Sequence, residues 1–322
     1  KPINFEWYDS GSLEGYLIAE NYFSSSKEAF DFSKQDEYIY FVNKNVIKYF
    51  SDPRIIFNRV KRAENLKSLV PFIKNQTKYF YSYAKINGNV LYDQKDNYLI
   101  YDLLEWLKKE LWIHRFLSSN QIKNFYEACN DFYYKKTLLR LKKYYSRFSV
   151  KDQDSIVDGI KIQKVDSLLN SINFDWLSKG EATNFHGDLQ FDNILFTSDN
   201  QFKLLDWRQD FSGLIDYGDI YYDLAKLNGG LYISYKKIKE NKFNIYFKND
   251  EVNLFLEKNQ FLIDSKEIFN KFVLKNNFDL KKIEILTGII FLNMSPMHNA
   301  PFSHYVYYLG KKQLNRWIPS QG

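Results

Sequence analysis

The sequence predicts an α+β protein of two lobes: a small N-terminal β-sheet lobe carrying one helix, then a larger, mostly helical C-terminal lobe. Three observations carry that expectation. Strand-like segments crowd residues 38–92, helical spacing dominates after about residue 100, and 322 residues exceed what one hydrophobic core comfortably organises.

The elements follow in order. Tyr38–Val42 and Val46–Phe50 read as strands about the turn Asn43-Lys44-Asn45. A helix starts after Ser51-Asp52-Pro53, where Asp52 can cap the first free amides and Pro53 occupies a position that needs no N–H. Ile56, Val60, Ala63, Leu66 and Val70 keep helical spacing until Pro71 ends it. Two further strands, Lys78–Ile86 and Val90–Tyr92, are expected to turn at Asn87-Gly88-Asn89. Leu103–Trp112 and Gln121–Phe148 read as amphipathic helices. The basic run on the second (Lys135, Lys136, Arg140, Lys142, Lys143, Arg147) reads as a solvated face. Ile194–Thr197 and Phe202–Leu205 are short strands, and helices fill the remainder except for a hairpin expected at Phe243–Leu256 around Asn249-Asp250.

Composition excludes several function classes. An apolar content of 45% is ample for a packed core and excludes a disordered chain. The longest apolar stretch, Ile285–Leu292, is interrupted by Thr287 and Gly288 and falls short of the ~18 residues a membrane span needs. The net charge of +6 is small and spread out, unlike the concentrated basic patches of nucleic-acid binders. The single Cys129 excludes a disulfide framework, and a reducing cytoplasmic setting is expected.

The segment His186-Gly187-Asp188-Leu189-Gln190-Phe191-Asp192-Asn193, followed by Leu205-Asp206-Trp207, is the most informative. The strands 194–197 and 202–205 flank the loop Ser198–Gln201, so Asn193 and Asp206 are expected opposite each other at the open end of a hairpin. A carboxylate and an amide oxygen placed there can converge on one hard cation such as Mg²⁺, which prefers oxygen ligands and takes few from protein. Asp188 precedes Asn193 by five residues on the entering loop, where a base accepting a hydroxyl proton belongs in phosphoryl transfer. Gly187 suits a tight loop, and His186 can hydrogen-bond across it.

These residues resemble the catalytic-loop and metal-site motifs of the aminoglycoside phosphotransferase/choline kinase family, the protein-kinase-like small-molecule kinases. Gly218-Asp219-Ile220-Tyr221-Tyr222-Asp223-Leu224-Ala225 is similar to that family's Gly-Asp…Asp-Leu-Ala helix start, and the motifs look most like the branch found in surface-polysaccharide loci. The resemblance implies a two-lobed protein-kinase-like fold that uses ATP and Mg²⁺, with Asp188 as base and Asn193 and Asp206 as metal ligands. Asp219 and Asp223 are expected to cap and brace rather than to catalyse. The same resemblance implies a nucleotide grip in the first lobe: Lys48 on the phosphates, paired with Glu64 on the following helix, and Tyr83, Ala84, Lys85 and Ile86 as an inter-lobe hinge meeting adenine. No G-x-G-x-x-G occurs; Ser24-Ser25-Ser26 is the nearest small-residue loop.

The expected acceptor is a hydroxyl of a small molecule, foremost a sugar or amino alcohol. An aminoglycoside would call for carboxylates, with Asp210 and Asp216 as candidates. Choline would call for an aromatic cage, to which Trp207, Tyr217, Tyr221 and Tyr222 could contribute. A nucleotide-binding module without transfer has no need of all three of Asp188, Asn193 and Asp206. His298, in Asn293–His298, is either a substrate contact or a hydrogen-bonded helix-end residue. Finally, Trp7–Tyr16 resembles the closing segment of bacterial sugar nucleotidyltransferases, and the chain opens at Lys1, so a nucleotidyltransferase–kinase fusion is expected. The expected divisions are a stub at 1–24, an N-lobe at 25–92 and a C-lobe at 93–322.

Overall fold

The computed structural model describes residues 36–94, 96–248, 251–257 and 259–318. The nucleotidyltransferase-like segment and the Ser24–Ser26 loop lie outside the described residues.

The first lobe is an antiparallel sheet of four strands, β1 (Glu37–Val42), β2 (Asn45–Phe50), β3 (Ile73–Gln76) and β4 (Phe80–Ala84), in the order β1-β2-β4-β3. The first hairpin closes at Asn43-Lys44, with Val42 opposite Asn45. Asn43 takes φ +54°, a left-handed conformation that Asn tolerates better than most residues. Helix α1 (Pro53–Leu66) begins as expected: the Asp52 carboxylate accepts from the Arg54 N–H at 2.9 Å. It ends four residues before Val70, where the chain tightens into a 3₁₀ turn, Lys67–Leu69.

The expected turn at 87–89 is not a hairpin. Strand β5 (Gly88–Val90) pairs not with β4 but with β9 (Ile194–Thr197), which pairs in turn with β10 (Phe202–Leu204). Residues 85–87 therefore cross between lobes, and Gly88 fits because a Cβ there would meet the Phe196 carbonyl at 2.8 Å.

Helix α2 (Tyr98–Trp106) runs on through a π turn to Leu111. Helices α3 (Ser119–Asn130) and α4 (Lys136–Phe148) are joined without a break by a π turn at Asp131–Lys135, giving the long helix the sequence implies. A hairpin that the helical reading missed, β6 (Ser155–Val157) and β7 (Ile160–Ile162), turns at Asp158-Gly159. Two short helices follow, α5 (Val165–Asn170) and α6 (Phe174–Leu177). The hairpin β6–β7 joins the anticipated β12 (Phe243–Lys248) and β13 (Glu251–Leu256) in one sheet, through a parallel contact of β13 with β6. A two-stranded ladder of β8 (Ala182–Thr183) and β11 (Gly218–Asp219) brackets the loop carrying Asp188.

The core of the large lobe is helical. Helix α7 (Ile220–Tyr232) is buried at every position from Ile220 to Leu231. The short α8 (Tyr235–Lys239) and α9 (Gln260–Lys275) lead to α10 (Leu280–Met294), buried throughout Lys282–Leu292, and to α11 (Phe302–Trp317). Helices buried around their whole circumference must be enclosed, and α11, α7 and α4 supply most of the enclosure of α10. Among the described residues no helix is long and apolar enough to cross a membrane.

Candidate active site

The loop between β8 and β9 is held from below by buried hydrogen bonds. His186 is fully buried, its Nε2–H donates to the Leu205 carbonyl at 2.8 Å, and its Nδ1 accepts from the Asp188 N–H at 3.2 Å. That pattern requires the neutral imidazole, and burial pushes the His186 pKa down to about 4. Asp223 on α7 accepts the N–H groups of His186 and Gly187, each at 2.7 Å, and the Trp112 indole at 3.3 Å. Gly187 sits at φ +85°, and a Cβ would fall 2.6 Å from the Arg208 Cβ. Asp219 caps α7 through the Tyr221 N–H and also accepts from Glu181 N–H and the Tyr133 hydroxyl. Burial pushes both Asp219 and Asp223 up to about 6. Neither faces open space: both are fully buried braces.

This bracing presents three groups. Asn193 donates its side-chain N–H to the Asp188 carbonyl at 2.8 Å, which leaves its oxygen as the outward acceptor. The Leu205 N–H donates to the Asn193 carbonyl at 2.7 Å, bringing Asp206 next to Asn193. The register differs by one from the symmetrical expectation: Ile194 opposes Leu204, so Asn193 falls level with Leu205 and Asp206 is one step beyond. Asp206 takes φ +56°, turning out of the strand at that step. Asp188 pairs with Lys226 of α7 at 2.6 Å. Burial pushes Asp188 up, but the Lys226 ammonium outweighs it and holds the carboxyl below its ordinary range.

The first lobe reaches this cluster through Lys48 and Arg59. The Lys48 ammonium lies 2.5 Å from Asp206, and Arg59 bonds the same carboxylate oxygen, Oδ1. Burial pushes Asp206 up, yet these two cations hold it well below the carboxylate range. Lys48 therefore arrives where the sequence places it, but not in the expected pair. Glu64 is exposed, beside Pro71–Gln76 on the far side of α1, whereas Lys48 is only 3% exposed. The reason is helical phase: α1 turns Arg59 and Arg62, three residues apart, toward the second lobe, and Glu64 falls on another face. Arg62 donates to the carbonyls of Phe185, His186 and Arg208, and the Trp207 indole donates to the Arg59 carbonyl at 2.8 Å, so α1 is bolted to the loop. Sequence reasoning missed both arginines; their i, i+3 spacing was the available signal.

Of the hinge residues, Tyr83 is buried in the small lobe and its hydroxyl is pushed up to about 12 by burial. Ala84 and Lys85 are exposed and Ile86 is half-buried. The Lys85 N–H is committed to the Lys44 carbonyl at 2.9 Å, so the crossing itself begins at Ile86.

On the other side of Asp188 lies a cavity of about 400 Å³ lined by Asp188, Tyr222, Lys226, Met297 and His298 among others. His298 also packs on Phe302, with ring centroids 4.8 Å apart. Lys136 and Arg140 line the cavity too, which corrects the solvated reading of the basic run at those two positions. Asp210 instead accepts from the Gly213 N–H within its own turn, and Asp216 accepts from Asn65 of α1. Trp207 is 1% exposed, Tyr217 packs on Phe125 and Tyr221 bonds Glu181, so of the four aromatic cage candidates Tyr222 alone lines the cavity.

Among the described residues no group of three or more His, Cys, Asp or Glu converges as a metal centre. The oxygen pair of Asn193 and Asp206 nevertheless fits Mg²⁺, which completes its shell with water and phosphate. The Asn193 nitrogen is occupied, its oxygen is the donor that remains, and Asp206 is ionised with Oδ2 beyond the two cations on Oδ1.

No family model matches the chain, and no curated protein does. Solved structures do. A candidate fructosamine-3-kinase from Thermobifida fusca is 11% identical, covers 88% of this chain and 91% of its own, and superposes with a TM-score of 0.51. An ethanolamine kinase from Plasmodium vivax is 13% identical over 99% and 94% of the two chains, with a TM-score of 0.47. A choline kinase from Streptococcus pneumoniae is 14% identical over 92% and 98%, with a TM-score of 0.46. At such identity a likeness speaks to fold alone, and the first of the three carries it: the chain has a two-lobed, protein-kinase-like α+β fold.

Proposed function

We propose that the chain is an ATP-dependent phosphotransferase acting on a hydroxyl group of a small molecule in the cytoplasm, with a sugar or amino alcohol destined for a surface polysaccharide as the leading acceptor. One observation carries the reading. The Asn193–Leu205 hydrogen bond sets Asp206 beside the loop of Asp188, and Lys48 from the opposite lobe meets Asp206. A base, an oxygen pair for a cation and a lysine for phosphate thus meet at one lobe junction, which is the set phosphoryl transfer requires.

ATP would lie between the lobes, with adenine against the crossing at Ile86 and its phosphates toward Lys48 and Arg59. Mg²⁺, held by Asn193 and Asp206, would neutralise charge on the phosphates. The acceptor oxygen forms its bond to the γ-phosphorus as the bond from that phosphorus to the bridging oxygen breaks. ADP leaves with the electron pair, and the hydroxyl proton passes to Asp188. Lys226 keeps Asp188 ionised and fixes its orientation, so its contribution is positioning more than basicity.

The test is Asp188→Asn. ADP release stimulated by acceptor should fall by about 10²–10⁴-fold, while affinity for a non-hydrolysable ATP analogue with Mg²⁺, read by calorimetry, stays within about twofold of the parent, less than 0.5 kcal/mol. Undiminished turnover would end the assignment. A wild-type chain that binds the analogue but transfers to no hydroxyl compound, whether a neutral sugar, an amino alcohol, an aminoglycoside or a phosphorylated or acidic alcohol, would make it a nucleotide-binding module instead.

A further inference from the structure

The cavity beside Asp188 has an unusual charge balance for a site meant to take choline or an aminoglycoside. Its carboxylates are Asp188 and Asp192. Asp188 is matched by Lys226 at 2.6 Å, and Asp192 lies in the field of Lys239. Three lining cations are left over: Lys136 and Arg140 from α4, and Arg208 from the segment after Asp206. None of the three forms a close ion pair with a carboxylate among the described residues, and Asp188 acts on Lys136 only from a distance.

Two of them are brought together. The Lys136 ammonium stands 3.6 Å and the Arg208 guanidinium 4.8 Å from the centroid of the same Phe132 ring. Arg140 donates to the Asn293 carbonyl at 3.1 Å, and the Arg208 Nε is buried without a hydrogen-bond partner. Like charges held close in a half-buried site are costly unless an opposite charge joins them. The protein bears that cost at Lys136: burial, then Arg208 and Arg140, push its ammonium well below the ordinary lysine range. Leu286, Ile289, Ile290 and Met294 form an apolar wall, and a volume of about 400 Å³ suits a small molecule. Lys48, Arg59, Asn193 and Asp206 are not among the lining residues, so this basic set is separate from the one facing the nucleotide phosphates.

We infer that the acceptor carries an anionic group, a phosphate monoester or a carboxylate, seated on Lys136, Arg140 and Arg208 while its hydroxyl faces Asp188. This rests on the phosphotransferase reading for the hydroxyl and the transfer, but the anion seat can be tested without it. It changes the expected substrate class from neutral or cationic alcohols to phosphorylated or acidic ones. The class of reaction supplying the acceptor would then be one that leaves a phosphate or carboxylate on a hydroxylated carbon skeleton. An arginine pair beside a lysine recognises such a group through charge-assisted hydrogen bonds.

The experiment is a calorimetric titration of the full chain with inorganic phosphate, and separately with malonate, while a non-hydrolysable ATP analogue and Mg²⁺ fill the nucleotide site. The parent should bind one of the two anions. Lys136→Met and Arg208→Met should each weaken that binding by about tenfold or more, as expected for loss of a charge-assisted contact. Lys136→Arg should retain it, and the affinity for the ATP analogue serves as the folding control for every variant. Phosphate without malonate indicates a phosphate monoester, and the reverse a carboxylate. Binding of neither anion, or binding that survives both methionine variants, overturns the inference. Failure of the ATP analogue to bind overturns the phosphotransferase reading alone, since the anion titration repeated without nucleotide still decides the seat.

Discussion

Truncating Asp206 should destabilise the metal-free, nucleotide-free protein, and the structure sets the scale. The carboxylate is the shared counter-charge of Lys48 and Arg59, whose side chains are 3% and 8% exposed. Asp206→Ala removes both ion pairs at once and leaves two buried cations facing each other. Removing one partner of a buried pair costs about 3–5 kcal/mol, because the desolvated charge is left uncompensated. At about 2–3 °C per kcal/mol for a chain of this size, the melting temperature should fall by roughly 6–15 °C. Differential scanning calorimetry without nucleotide reads this directly. Lys48→Met on the Asp206→Ala background should recover part of the loss, since it removes one of the stranded charges. The same variant should lose the stabilisation that Mg²⁺ and ATP give the parent. A melting temperature equal to or above the parent's in the ligand-free state would refute the reasoning. It would mean that Lys48 and Arg59 reach water when Asp206 is gone and that the clasp is not a structural one.

Two further outcomes follow from the loop's supports. Gly187→Ala places a Cβ 2.6 Å from the Arg208 Cβ at φ +85°, and should cost about 1–3 kcal/mol in chemical denaturation; an unchanged midpoint would show that the loop relaxes. For Asp219, burial raises the folded-state pKa to about 6 against an ordinary 3.8. Its contribution is full below the unfolded-state value and is lost as pH rises through about 6, so the parent should lose stability between about pH 4 and 6. In Asp219→Asn the amide oxygen can still accept the two backbone N–H groups and the amide nitrogen can donate to the Tyr133 oxygen. That variant should show a visibly flatter urea-unfolding profile across the same window, whereas an identical slope would assign the pH dependence elsewhere, with Asp223 the next group to test.

Legibility along the chain followed the range of the interactions involved. The Asp52 cap, the Asn43-Lys44 turn and the pairing of Phe243–Lys248 with Glu251–Leu256 were readable because each is settled within a few neighbouring residues. The hairpin at Asp158-Gly159 carried an equally local signal, an Asp-Gly pair between β-branched residues, and was passed over for the helical pattern around it. The turn expected at Asn87–Asn89 failed for the opposite reason. Its composition was right for a turn, but β5 gains more by pairing with β9, a strand more than a hundred residues away.

By itself the sequence determined the two-lobed order of elements and the short-range constellation of His186, Asp188, Asn193 and Asp206, whose spacing is carried by a single loop and hairpin. Only the tertiary structure decided what surrounds that constellation. Helical phase, not sequence distance, turned Arg59 rather than Glu64 toward Lys48 and Asp206. Packing of α7 under the loop supplied Lys226 to Asp188, and packing of α4 against the segment after Asp206 set Lys136 beside Arg208 on one aromatic ring. Local chemistry is written in neighbouring residues, whereas the charge that a pocket presents is a sum over elements that only folding brings together.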